Sequence, residues 1–403
     1  MSDARRGRVL VVNAGSSSLK LSVVGADGSA SDTYQIDDWD GSPGAPALRA
    51  YLGRLAGSAR PPEAIGHRVV HGGTLYTTAA LIDDQVRAGI AGLTSLAPMH
   101  QPRALAGIDA ATAAFGSLPQ VACFDTAFHA TLPPEASTYP LPRDWRHRFG
   151  LRKFGFHGLS HGYAARRAAE LLNVRQVQQF RVVTCHLGAG SSLAAVHGGR
   201  SVETTMGFTP VDGLVMATRP GSIDPGMILW LAGEHRLRLA DLADGIEHRS
   251  GLAALAGPEG GRGDMRQVLA AAGRGDPDAG LAVAVHLHRL VASAAAMAAA
   301  MNGIDALVFT GGIGEHAPVV RSRACAGLAF LGVAVDEQRN LAVSGGRLGG
   351  TSRGSGGSSP LGSTADADIS KADARVRTLV VSAREDLEIA MSVRGVLARQ
   401  SRT

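Results

Sequence analysis

The residues best suited to chemistry in this chain sit in glycine-rich turns that follow apolar strands. VVNAGSSSLKLSVV, residues 11–24, runs an apolar strand into Asn13, Gly15 and the hydroxyls of Ser16, Ser17 and Ser18, then resumes with Lys20. Only Lys20, Lys153 and Lys371 are lysines among 40 basic residues, and Lys20 stands inside an alternating strand pattern. Successive backbone N–H groups in a tight Gly/Ser turn can cradle anionic oxygens. Alternation puts Ser18 and Lys20 on one face of the second strand. A lysine there can serve a phosphate as a point charge, or it can be a solvated lysine on an edge strand. HLGAG (residues 186–190) and GGIGEH (residues 311–316) make similar turns. None is a Walker A loop or a full dinucleotide fingerprint, but three strand-linked turns in one chain point to phosphate handling. Arg68 and Arg219 lie in polar turns between apolar stretches, where an arginine can be solvated, paired or an anion clamp. His157 stands near Gly155 and Gly158, and Asp125 ends a short apolar strand.

Several elements must position these groups. RVLVVNAG and LKLSVVGADG read as two strands of a hairpin, and FRVVTCHLGAGSSLAAVHGG repeats strand, glycine turn, strand. SHGYAARRAAELLN is a helix, and DPDAGLAVAVHLHRLVASAAAMAAAMNG is a long one. The two strand–turn–strand units suggest two related α/β halves facing one another. The stretch 343–373 is rich in Gly and Ser, which predicts a mobile surface excursion. VRTLVVSA and the helix REDLEIAMSVRGVLARQ close the chain.

Composition narrows the function classes. The 403 residues are 45% hydrophobic and 19% charged, which suits an enzyme-sized globular protein of two or three domains. The net charge of +5 is carried almost wholly by arginine. No basic cluster interleaves with aromatics, which argues against nucleic acid as a partner. The alanine-rich run before Asn302, Gly303 and Asp305 reads as helix then strand, not as a membrane span. Cys123, Cys185 and Cys325 have no metal-ligand spacing and read as core thiols of a reducing compartment. With no secretory leader in MSDARRG, the expectation is a cytoplasmic protein.

Taken together, VLVVNAGSSSLKLSV, GHRVVHGG, LAPMHQP, CFDTAFHATLP, FGFHGLSH, CHLGAGSS, TTMGFTPVDGLVMATRPGSIDPG and VFTGGIGEHAPVVR occur in the order of one known family. The chain resembles the acetate kinase family, within the acetate and sugar kinase/Hsp70/actin superfamily. That resemblance implies an α/β fold of two actin-like (ribonuclease H-like) domains with an active-site cleft between them. Residues 1–129 and the C-terminal helix 386–403 would form the first domain. Residues 130–385 would form the second, which would bind nucleotide and make a homodimer. The implied reaction is reversible phosphoryl transfer from ATP to acetate, giving acetyl phosphate and ADP. Propionate or another short carboxylate is the alternative substrate. A non-catalytic ATP-binding module or an inactive paralogue is the alternative class.

The resemblance also assigns roles. Arg68 and Arg219 match two active-site arginines, whose planar forks suit carboxylate and phosphoryl oxygens. His157 matches a transition-state donor and Asp125 a catalytic aspartate, read here as orienting an arginine or a metal-bound water. Lys20 matches a phosphate-side lysine in the turn lined by Asn13, Ser16 and Ser18. Val70, Met99, Phe156 and Pro210 match positions around the acyl methyl group. His186, Leu187, Gly188, Ala189 and Gly190 would meet the nucleotide phosphates. Asp264, Met265 and Arg266, with Gly312, Ile313, Gly314, Glu315 and His316, would border the nucleoside. Mg2+, for which Mn2+ can substitute, would contact Asn13 and Glu385.

The sequence departs from the family pattern at several points. Ala189 stands where asparagine is usual, so a side-chain amide near the phosphates is missing. Gln101, Leu159, Glu203, Pro220, Ser222 and His316 are further replacements. These bear on rate and substrate preference more than on reaction class.

Overall fold

The structure, a computed structural model, describes residues 7–15, 18–344 and 366–401. Two six-stranded sheets of the same design organise it. The first contains β1 (Val9–Ala14), β2 (Ser18–Val24), β3 (Ala30–Asp37), β4 (Ala64–Val69), β5 (Ala80–Leu81) and β6 (Gln120–Phe124). The second contains β7 (Arg181–Leu187), β8 (Ser191–His197), β9 (Arg200–Thr204), β10 (Ala306–Thr310), β11 (Ala367–Asp368) and β12 (Arg377–Val380). The order β3-β2-β1-β4-β6-β5 in one matches β9-β8-β7-β10-β12-β11 in the other. In both, antiparallel hairpin strands precede two parallel neighbours and a short antiparallel edge. The repeat suggested by two glycine turns is thus a repeat of whole sheets, and the fold is α/β with two similarly built domains.

Local sequence explains the layers. β1 (VLVVNA) is almost continuously apolar, as a central strand covered on both faces must be. β3 (ASDTYQID) is polar and exposed nearly throughout, which blunts that edge against further pairing. The helix Gln101–Phe115 covers one face of the first sheet. The helix Glu385–Gln400 covers the other, seating Ile389, Ala390, Val393 and Val396 beside Val9, Val11 and Val121. Its closest approach falls at Gly66, where a Cβ would lie 2.4 Å from Ile389 Cγ2 and 2.7 Å from Val393 Cγ2. Only glycine lets β4 and this helix meet. The end of the chain therefore returns to the first sheet.

In the second half, the helix Pro277–Ala300 is long and apolar enough to cross a membrane by length and composition. It is packed into the core through Ala282, Val283, Leu287, Leu290, Ala294 and Met297. The helix Gly158–Leu171 bridges the halves. Tyr163, Ala164 and Ala168 pack with Val182 and Val308, while Leu159 enters the cluster around Val9 and Ile389. Arg166 pairs with Glu388 at 2.6 Å, joining this helix to the C-terminal one.

The expected mobile excursion over 343–373 is corrected at both ends, while 345–365 lie outside the described residues. Val343 belongs to the helix Glu337–Ser344 and packs against the second core. From 366 onward the chain is built in. β11 pairs antiparallel with β12, and Ile369 and Ser370 are fully buried. Composition missed this because Ile369 is the one branched apolar side chain in ADADISKAD, and it fills a core seat with Val335 and Val376.

Candidate active site

Residues near the carboxyl ends of parallel strands in both sheets come together. Asn13 lies near the end of β1, Arg68 near the end of β4, and Asp125 just after β6. From the second half come His186 on β7, Ser192 on β8, and Glu385 at the start of the C-terminal helix after β12. In open α/β sheets this is the end where ligands bind.

An ion pair forms the floor. Asp125 is 1% exposed, and Arg68 donates from Nε to both of its carboxylate oxygens at 3.1 Å and from Nη2 to Oδ2 at 2.7 Å. Arg68 Nη1 donates to Asn13 Oδ1 at 3.2 Å and lies 3.9 Å from Glu385 Oε2. Asn13 Nδ2 completes the ring by donating to Glu385 Oε2 at 2.9 Å. Burial pushes the Asp125 carboxyl up from the aspartate range, and the Arg68 charge pulls it back. Burial opposes the Arg68 charge too, but Asp125 and Glu385 overcome it and hold the guanidinium above its ordinary value. For Glu385, burial is outweighed by Arg68, His186, Asn13 and Lys20, which together hold the carboxyl below its usual range. Lys20 lies directly across the β1–β2 ladder from Asn13, so the two side chains share a face.

Histidines form the opposite wall. His157 sits at φ 55°, left-handed and non-glycine, at the entry to the helix Gly158–Leu171. Gly158 follows because a Cβ there would lie 2.2 Å from the Asp125 carbonyl oxygen, which accepts from Gly158 N at 2.9 Å. That contact fixes His157 beside the Asp125 turn. His157 Nδ1 meets Ser192 Oγ at 2.9 Å, and its ring lies 4.3 Å from that of His186. Burial, then the neighbouring His186, Arg68, His161 and Arg219, push His157 well below the normal histidine range. It is a neutral hydrogen-bonding group at neutral pH.

Arg219 enters from a long loop. Its Nη1 donates to the Pro210 carbonyl at 2.6 Å, and burial lowers its pKa from the ordinary arginine value. A Cβ at Gly190 would lie 2.9 Å from Arg219 Nη2 and 3.3 Å from His157 Nε2. Gly190 therefore lets the 186–190 turn close over both groups. His100, which sequence reasoning passed over although it stands in LAPMHQP, is partly buried here. Burial and then Arg68, Arg219 and Arg103 push it down to about 4. Arg68 and Arg219 thus both act on one further neutral imidazole.

The remaining expected residues divide. Val70 and Phe156 are buried in a small cluster with Ala97, Met206 and Met216, but Met99 is 42% exposed and lies outside it. Pro210 contributes its carbonyl to Arg219. Ser18 faces the Lys20 side, and Ser16 lies outside the described residues. Gly188, Ala189, Gly312, Ile313 and His316 keep some exposure, with Gly314 buried between them.

Three expected nucleotide contacts turn inward. Leu187 and Met265 are core residues. GGIGEH, expected as a glycine turn, is a short helix, Gly311–His316, and its Glu315 is buried and accepts from Gly311 N at 3.1 Å and Ala383 N at 3.0 Å, bracing that helix rather than facing out. Asp264 caps the helix Met265–Gly273 through Arg266 N and pairs with the Arg266 guanidinium. Two turn N–H groups expected to face anions are spent internally: Gly15 donates to Ser18 O at 2.8 Å, and Gly188 to Gly190 O at 3.0 Å.

Several departures find local partners. Gln101 is fully buried and brackets the His71 backbone, Glu203 pairs with Lys153 at 2.7 Å, and Ser222 Oγ donates to Asp212 at 2.6 Å. The Arg219 loop is therefore closed by its own residues.

The sequence matches the Acetokinase family over residues 56–356. The chain belongs to the acetokinase family. Its similarity to an acetate kinase of Synechococcus sp. extends over 428 aligned positions at 42% identity, covering 96% of this chain and 99% of that one. Among solved structures, the acetate kinase of Porphyromonas gingivalis superposes with a TM-score of 0.82 at 31% identity, covering 97% and 100% of the two chains. A propionate kinase from Francisella tularensis superposes with a TM-score of 0.81 at 32% identity, covering 96% and 98%. Membership of the acetokinase family makes this chain an enzyme of that family.

The neutral histidines carry a cost at low pH. His67, His71, His129 and His286 are all buried, and burial pushes each down to about 4. Below an unfolded value of about 6.5 the unfolded chain takes up protons that the folded one refuses. Stability is then lost as pH falls from about 6.5 toward 4, at up to about 1.4 kcal/mol per pH unit for each group. Urea titrations should show a midpoint that is level above neutrality and drops steeply toward about pH 5. A level midpoint across the whole range would contradict this account.

Proposed function

We propose that this protein transfers the γ-phosphoryl group of ATP reversibly to acetate, giving ADP and acetyl phosphate, in a cleft between two actin-like (ribonuclease H-like) halves. The observation that carries the reading is the meeting of Arg68 at the end of β4, Arg219 from the long loop after β9, and neutral His157 at a helix entry.

Acetate is ionised near neutral pH and needs no base. One of its oxygens forms a bond to the γ-phosphorus as the bond to the ADP oxygen breaks. Charge then spreads over three equatorial oxygens, so catalysis rests on position and positive potential. The Arg219 fork, anchored at one nitrogen by Pro210, offers its remaining N–H groups to those oxygens. Arg68, aimed by Asp125, supplies the second charge. His157 adds a neutral donor that does not repel the arginines. The 186–190 turn, with the exposed parts of 264–266 and 312–316, is the nucleotide side in this reading.

Mg2+, with Mn2+ as a substitute, fits the oxygen donors Asn13 and Glu385. Among the described residues no group of three or more His, Cys, Asp or Glu is arranged around a metal. That suits a cation that keeps its waters and shares phosphate oxygens, not one in an all-protein cage. When bound it would neutralise phosphate charge.

The pocket favours a small acid. Val70, Ala97, Phe156, Met206 and Met216 form a buried apolar cluster. Propionate is the second reading, because one methylene changes discrimination by only about 1–3 kcal/mol and the superposed Francisella tularensis protein is a propionate kinase. Trapping acyl phosphate as hydroxamate with ATP, Mg2+ and acetate, propionate or butyrate decides. Acetate should give the highest kcat/KM; absence of product from every acid would end the proposal.

A homodimer through the second half completes the reading. The helix Pro225–Gly233 (PGMILWLAG) has no buried residue, leaving Leu229 74% and Trp230 56% exposed. A face so apolar suits burial by another copy. Leu229→Asp should shift the protein from dimer to monomer in sedimentation; an unchanged dimer would place the contact elsewhere. The three cysteines are buried and free, which suits the reducing cytoplasm.

A further inference from the structure

Behind His157 a single file of hydrogen-bonding groups leads away from the cleft. His157 Nδ1 meets Ser192 Oγ at 2.9 Å, Ser192 Oγ meets His161 Nε2 at 2.7 Å, and His161 Nδ1 meets Thr184 Oγ1 at 2.7 Å. Ser192, His161 and Thr184 are completely buried. We propose that Thr184, His161 and Ser192 are positioning residues that fix His157 as the tautomer carrying its proton on Nε2, the nitrogen facing the reaction.

The argument is one of proton counting. Ser192 has one hydroxyl proton and two imidazole neighbours, so it cannot donate to both. A neutral imidazole has one N–H and one bare nitrogen. Once the direction of one bond is set, every other direction follows. The direction is set at Thr184. Its hydroxyl can donate to His161 Nδ1 at 2.7 Å or to the Ala194 carbonyl at 3.4 Å. The longer contact lies beyond ordinary O–H···O distances, and a buried hydroxyl proton left without a short acceptor is costly.

Thr184 therefore donates to His161 Nδ1. His161 carries its proton on Nε2 and donates to Ser192. Ser192 then donates to His157 Nδ1, which leaves the His157 proton on Nε2. That atom lies near the Gly190 turn and Arg219. The opposite direction would present a bare nitrogen to the phosphoryl oxygens, which repel a lone pair. No proton moves along the file during the reaction. Burial and neighbouring His129 and His186 keep His161 well below its ordinary range, consistent with a neutral link.

The inference rests on the proposed kinase reading only for what the Nε2 proton is used for; the tautomer stands apart from it. In 15N-labelled full-length protein at neutral pH, long-range 1H–15N correlation should show His157 with a protonated Nε2 and a bare Nδ1. Thr184→Val keeps the shape and removes the hydroxyl, two residues away from anything that touches substrate. It should give a mixed or reversed His157 tautomer and lower kcat about tenfold or more, with KM for ATP and acetate within about twofold. Thr184→Ser should restore both. A wild-type His157 protonated on Nδ1 overturns the proposal, as does a folded Thr184→Val protein with unchanged tautomer and kcat. If that variant fails to fold, the wild-type spectrum and Thr184→Ser decide alone. Wild-type protein that yields no acyl phosphate yet shows the Nε2 proton would sink the kinase reading and leave the file intact.

Discussion

Arg219→Ala and Arg68→Ala are each expected to lower kcat/KM about a thousandfold, yet only Arg68→Ala should also unfold more easily. Each guanidinium faces charge that develops on a transferring phosphoryl group, and an arginine in that position is worth about a thousandfold or more. The difference lies in what each leaves behind. Arg219 is anchored on a main-chain carbonyl, which water can satisfy when the side chain is cut away. Arg68 is the partner of a carboxylate that is 1% exposed. Removing it strands a buried charge, at a cost of about 3–5 kcal/mol. Denaturant melts should therefore separate two variants that kinetics make alike. Arg68→Lys should stay poorly active, because an ammonium cannot reproduce a bidentate fork. Near wild-type turnover in either alanine variant would remove that residue from the mechanism.

The second large effect concerns Asp125. Asp125→Ala should lose about a hundredfold or more in kcat, because Arg68 loses the group that aims it. The Arg68→Ala/Asp125→Ala double variant should be no slower than Arg68→Ala alone. An aspartate that acts only through its arginine has nothing further to lose once the arginine is gone. The double variant should also be more stable than either single one, since no lone buried charge remains. If Asp125 instead takes a proton from substrate, the two rate losses would add. Among the described residues every hydrogen bond to its carboxylate comes from Arg68, on both oxygens, which is why the positioning role is preferred.

Much of this site is legible in sequence because its parts sit where strands end. Asn13, Arg68 and Asp125 each lie at or next to the last residue of a strand whose apolar run can be read directly. The hairpins at both glycine turns follow from alternation, and the long alanine-rich helix from its period. Glycines marked close approaches, at Gly158 against the Asp125 turn and at Gly190 against His157 and Arg219.

The failures have a common cause. GGIGEH reads as a glycine turn, but it is a short helix whose Glu315 folds its carboxylate back onto Gly311 and Ala383. ADADISKAD reads as coil, but Ile369 finds a core seat. Motif matching groups Met99 with the acyl pocket, but its side chain stays exposed. His100 and His161 carry no sequence mark that separates them from structural histidines. For Glu315, Ile369 and the two histidines a deciding partner lies far away in the chain.

By itself, then, the sequence determined the main strands and helices, the residues that end them around the site, and the family that this order of turns belongs to. These follow from periodicity and backbone geometry, both local properties. Only the tertiary structure decided that Asp125 spends its carboxylate on Arg68, that Glu385 meets Asn13 from the other end of the chain, and that Thr184, His161 and Ser192 stand in file behind His157. Those outcomes depend on strand register and helix approach, which place polar atoms within hydrogen-bonding reach only after two separate sheets have come together.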